Sequence, residues 1–102
     1  MIKINIKREN KSVYEIVIKG HANHGTFGND IVCAAVSTMA ITTVNGILSL
    51  EDSLDYEENS GLLIIRTKEN TDVNQKLLDN MIVMFKELTN QYPKNIEIRN
   101  EE

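Results

Sequence analysis

The feature that most constrains this chain is a charge-poor run from Ile31 to about Leu50. Val32, Val36, Met39, Thr43, Ile47 and Leu50 recur at spacings of three and four, the period of an α-helix. Small residues at Ala34, Ala35, Ser37 and Ala40 let another element pack closely. With so few charges, the helix is expected to be buried on most sides. The flanking segments are strand-like. Residues 2–7 alternate Ile with Lys or Asn, residues 8–12 form a polar turn, and residues 13–19 are rich in β-branched residues. Gly20 ends that second strand.

Residues 20–29 carry three glycines, two histidines and two asparagines, and are read as a mobile loop. Asp30 is then a suitable N-cap for the helix. Beyond the helix, residues 51–60 hold five acids and a turn at Asn59-Ser60-Gly61, with Leu62 to Arg66 as the return strand of a second hairpin. The acidic run at 51–58 suits a solvated edge protected from aggregation. Residues 72–91 read as an amphipathic helix with Val73, Leu77, Met81, Phe85 (or Met84) and Leu88 on one stripe. Asp72 with Gln75 resembles a capping box, and Pro93 is the stop. A short strand at 95–99 closes the order β-β-α-β-β-α-β. The expected fold is α+β, a single domain over 1–102, with a mostly antiparallel sheet and two helices on one face.

Composition bounds the function. The chain has 102 residues, 41 % of them apolar, which suffices for one small core. A net charge of −4, 5 % aromatics and no tryptophan argue against nucleic-acid binding. They are compatible with a basic peptide partner. No stretch is expected to approach a membrane span and no leader is evident, so a soluble cytoplasmic protein is the default. One cysteine forms no internal disulfide.

That cysteine, Cys33, falls in the first turn of the expected helix, where unpaired amides and the helix dipole favour a thiolate and can hold an oxyanion. Asp30 opposes this through its charge. His21, fixed just past a strand end, is the preferred base, and His24 is less constrained. Gly25 and Gly28 allow the intervening loop to act as a lid over a peptide. Ser37 lies one turn beyond Cys33 on the same face. Other readings stay open on spacing alone. Cys33 can be an inert buried residue. His21, His24, Cys33 and Asp30 can ligate a metal. The glycine-rich loop can cradle phosphate, although neither a P-loop nor a GxGxxG pattern occurs.

Gly20-His21-Ala22, Gly25, Gly28, the run Asp30-Ile31-Val32-Cys33-Ala34-Ala35, and Ser37 together resemble the signature of the ribosomal-processing cysteine protease family, Prp. The likeness extends over essentially the whole chain. The resemblance implies a bacterial cytoplasmic endopeptidase without a cofactor. It would remove the N-terminal extension of protein twenty-seven of the large ribosomal subunit, an extension that would otherwise obstruct the peptidyl-transferase region. It also implies His21 and Cys33 as the catalytic pair, Asp30 and Ser37 in support, a mobile loop over 22–30, and a homodimer. The competing expectation is a non-catalytic ribosome-assembly or peptide-binding module.

Overall fold

The computed structural model describes residues 1–20 and 27–102. Seven elements follow one another: β1 (Ile2–Glu9), β2 (Ser12–Lys19), α1 (Phe27–Leu50), β3 (Leu54–Asn59), β4 (Leu62–Thr67), α2 (Asp72–Gln91) and β5 (Ile96–Glu101). The five strands form one sheet in the order β3-β4-β2-β1-β5. Every neighbouring pair is antiparallel except β1 with β5, which is parallel and sets Ile2 beside Ile96. The architecture is thus the α+β arrangement expected, with a mostly antiparallel sheet.

Alternation decides which sheet face is covered. Ile2, Ile4, Ile6, Ile16, Ile18, Leu63, Ile65 and Ile96 are buried and form one core cluster with the helices. The intervening positions face outward and carry most of the strand charges. There the register aligns Glu101, Lys7, Glu15, Arg66 and Asp55 in a row of alternating sign across all five strands. Glu15, at the centre, accepts from Arg66 at 2.9 Å and pairs with Lys7 at 3.1 Å.

Both strands of the first hairpin run longer than the sequence suggests. The turn expected over 8–12 contracts to Asn10 and Lys11, both with positive φ (51° and 71°). Two left-handed residues give the twist that a two-residue hairpin needs. Gly61 has φ 73° in the second hairpin and supplies the same freedom there.

The helices depart from expectation in phase. The buried line of α1 is Val32, Val36, Ala40, Val44 and Ile47. Met39 and Thr43 are only half-buried and Leu50 is exposed. The helix is therefore covered on one side, not on most. Contrary to the expectation that no stretch approaches a membrane span, Ile31–Leu50 is long and apolar enough to cross one by length and composition. Its buried line packs into the core cluster with the sheet.

In α2 the capping box is Thr71 with Asn74, one position before the expected Asp72 and Gln75. Thr71 wins because its Oγ1 both accepts from the Asn74 amide at 3.0 Å and donates to Glu51 at 2.6 Å. The buried stripe shifts with it to Asn74, Leu78, Met81, Ile82, Phe85 and Leu88. Val73 and Leu77 are half-buried, and Met84 is exposed.

Asn74 is fully buried and fully satisfied. Its Nδ2 donates to Ser53 Oγ and to the Glu69 carbonyl, and its Oδ1 accepts from the Thr71 amide and Gln75 Nε2. Gln75 in turn exchanges two 2.8 Å bonds with the Val13 backbone, tying α2 to β2. Asn74→Ala should strand these partners and cost about 2–3 kcal/mol in urea unfolding.

Burial pushes the Glu15 carboxyl upward, but hydrogen bonds from Arg66 and Lys7 outweigh it, so it ends below the ordinary carboxylate range. A depressed folded-state value gives stability that is present above the unfolded glutamate pKa of about 4.3 and lost as pH falls through the folded one. The difference in urea stability between the wild type and Glu15→Gln should therefore shrink between pH 7 and pH 3.

Candidate active site

The chain leaves the sheet at a tightly held point. Gly20 has φ 84°, and its amide donates to the Gly61 carbonyl at 2.8 Å. A Cβ here would lie 2.6 Å from the Met1 carbonyl oxygen. Only glycine fits this conformation and this approach. Residue 20 is thus pinned between the first strand and the β3–β4 turn, and the expected base follows at once in sequence. His21, His24 and Gly25 lie outside the described residues.

Helix α1 begins at Phe27 and not at Ile31. The loop reading of 20–29 is corrected at its C-terminal end, and Gly28, expected in the lid, is helical. Asp30 is the fourth helical residue and so is not the N-cap. Cys33 moves from the first turn to the second. Its amide is then committed to the i−4 carbonyl, and the unpaired amides of the helix start precede it by at least four residues, about 6 Å along the axis. Dipole effects fade beyond the first turn. The helix terminus therefore contributes little to the stabilisation of a thiolate at Cys33.

Cys33 is half-buried and packs on the edge of the core cluster. Ser37, also half-buried, follows one turn later. Met39 and Thr43 line a groove of about 260 Å³ between α1 and α2. At 100° per residue, Cys33 and Ser37 lie roughly 120° around the helix from that groove. They occupy the flank of α1 away from that groove.

Among the described residues, no group of three or more His, Cys, Asp and Glu could hold a metal. The side chains that the metal reading needs, at positions 21, 24 and 30, lie outside those described. Among the described residues, the titratable groups with a resolved shift sit elsewhere. Lys7 and Glu15 are on the open sheet face. Glu51 and Lys68 lie at the far end of α1. On β3, burial and a 2.7 Å bond to Glu58 push the Tyr56 phenol up to about 12.

The sequence matches the family described as cysteine protease Prp over residues 1–97. The chain belongs to the Prp family. It is a cysteine protease of the ribosomal-processing kind. The ribosomal processing cysteine protease Prp of Staphylococcus aureus (strain Mu50) is 34 % identical over 101 residues, covering 95 % of this chain and 94 % of the relative. Two crystal structures of the S. aureus essential ribosomal processing protease Prp share the fold. One, in complex with a substrate peptide, has a TM-score of 0.89 and 28 % identity, covering 99 % of this chain and 100 % of its own. The other, with a covalently linked product peptide, has a TM-score of 0.86, 32 % identity and the same coverage.

The tight approach at Gly20 leads to a prediction about this Prp. Gly20→Ala should lower stability by about 1–3 kcal/mol, through left-handed strain and the clash with Met1. Urea unfolding measures the loss, and the open Gly61 site (Gly61→Ala) gives the strain-only comparison.

Proposed function

We infer that this protease cleaves the N-terminal extension from protein twenty-seven of the large ribosomal subunit, using Cys33 as nucleophile and His21 as base. One observation carries the reading: the S. aureus relative of the same fold holds a covalently linked product peptide. A covalent peptide adduct calls for a nucleophile, and Cys33 is the one thiol in this sequence.

In this reading His21 takes the thiol proton, or the two groups stand as an ion pair. The sulfur attacks the scissile carbonyl, forming the thioester as the peptide C–N bond breaks. His21 gives the proton to the leaving amine. Water then hydrolyses the thioester and releases the acyl fragment. Because the Cys33 amide is engaged in the helix, the oxyanion donors come from the segment before it. Asp30 and Ser37 support the pair, and Gly25 belongs to the segment that closes on the peptide. Asp55, Glu57 and Glu58 make the edge strand β3 acidic, which suits a substrate with a Lys-rich mature end. The reading needs no cofactor and no nucleic-acid or membrane contact. It places the enzyme in the bacterial cytoplasm as a homodimer.

Cys33→Ala should fold normally and lose precursor cleavage by at least about a thousandfold. The measurement is intact mass after incubation with the full-length ribosomal precursor. Wild-type cleavage by Cys33→Ala would refute the assignment. A peptide-binding module would instead bind the precursor uncut, and its thiol would react with iodoacetamide no faster than a model thiol.

A further inference from the structure

One acid on the edge strand is set differently from its neighbours. Alternation along β3 puts Asp55, Glu57 and Asn59 on the open sheet face, opposite Arg66, Ile64 and Leu62. Tyr56 and Glu58 point the other way, because their ladder partners Ile65 and Leu63 are buried in the core. A charge on the covered side of an edge strand guards against aggregation, but that role asks for no particular partner. Glu58 is held more closely than that. The Tyr56 ring packs against the core cluster, and its hydroxyl donates to Glu58 Oε2 at 2.7 Å. With its pKa raised to about 12, the phenol stays a donor at neutral pH. Glu57 pairs with Arg66 at 3.6 Å, whereas among the described residues no Lys or Arg pairs with Glu58. A fixed, exposed carboxylate with no counter-ion is suited to receive a cation.

Its place in the fold sets it toward the candidate active site. α1 packs on β3, and α2 packs on β2 and β5, so α1 covers the β3 side of the sheet. The flank of α1 away from the inter-helix groove bears Cys33 and Ser37 and is therefore the flank on the β3 side. Residues 51–53 join the end of α1 to the start of β3. From that shared end, Cys33 lies about 25 Å along the helix and Glu58 about 13 Å along the strand. Four residues of extended peptide span the difference of about 12 Å. Glu58 also directly precedes Asn59, which closes β3 before the turn whose Gly61 carbonyl accepts from Gly20. The expected base follows Gly20 in sequence.

We propose that Glu58 and Tyr56 form a specificity subsite for a lysine or arginine of the substrate, on the leaving side of the scissile bond and within four residues of it. The proposal rests on the reading that Cys33 cleaves a precursor with a basic mature end, and it names the acid that reads that charge. Glu58 meets the cation, and Tyr56 is a positioning residue that holds the carboxylate. Asp55 and Glu57 face the other side of the sheet and add only to the general field. An exposed pair of this kind gives a modest preference that weakens with salt.

Two synthetic peptides spanning the precursor cleavage site test the proposal. One has lysine at the third and fourth leaving-side positions, and the other has glutamate there. Fluorescence anisotropy with the Cys33→Ala protein reads affinity, and steady-state cleavage by the wild type reads KM and kcat. The lysine peptide should bind about fivefold tighter, with the cleavage difference in KM and a smaller preference in about 0.5 M NaCl. Glu58→Lys should reverse the preference, and Tyr56→Phe should weaken it. Glu57→Lys makes the same charge change on the open face and should keep the preference for lysine. If Glu58→Lys fails to fold by circular dichroism, Glu58→Gln takes its place and should bind both peptides equally. Equal affinity of the Cys33→Ala protein for the two peptides would overturn the proposal. So would a lysine preference that survives substitution of Glu58, or a reversal by Glu57→Lys. Charge-selective binding with no cleavage by the wild type would refute the proposed function and leave the subsite standing.

Discussion

The fold depends on one packing contact: the line Val32, Val36, Ala40, Val44 and Ile47 of α1 against the isoleucine-rich face of the sheet. Each of these five residues is essentially sealed from solvent. The small side chain at Ala40 keeps the helix close to the strands. That contact fixes the rotation of α1, and rotation decides everything on its surface. It puts Cys33 and Ser37 at the boundary between core and solvent, Met39 and Thr43 toward α2, and Ile31, Ile41 and Leu48 outward.

The strands were the most legible part of the sequence. Ile2, Ile4 and Ile6 alternate with polar residues, and a period of two has only one buried reading once a single face is covered. The hairpin turns were legible in kind but not in length. Asn10 and Lys11 both adopt left-handed conformations, and lysine does not advertise that. The helix phases were harder. In α1, apolar and small residues occur all around the axis, so periodicity marks a helix without marking its buried side. In α2, the displacement of the cap from Asp72 to Thr71 arises from Glu51, twenty residues away, which no local pattern reveals.

The site was legible in chemistry and less so in geometry. A lone cysteine preceded by histidines and glycines leaves several readings open, and the signature from Gly20 to Ser37 narrows them to a family. Where the helix starts was misjudged, because Asp30 is a good cap by residue type while Phe27 to Asn29 already follow helical geometry. The shift changes the physics: the helix terminus now lies too far from the sulfur to do much to activate it. By residue type Gly20 is a strand terminator, but its positive φ and the lack of room for a Cβ beside Met1 make it a joint of fixed shape.

The parallel pairing of β5 with β1 joins the first strand to the fifth. β1 has β2 on one side from the start, but its other flank stays bare until residues 96–101 have been made. Synthesis runs from the N-terminus, so no chain that stops short of β5 owns a finished five-stranded sheet, and the docking of that strand closes the edge that β1 leaves open.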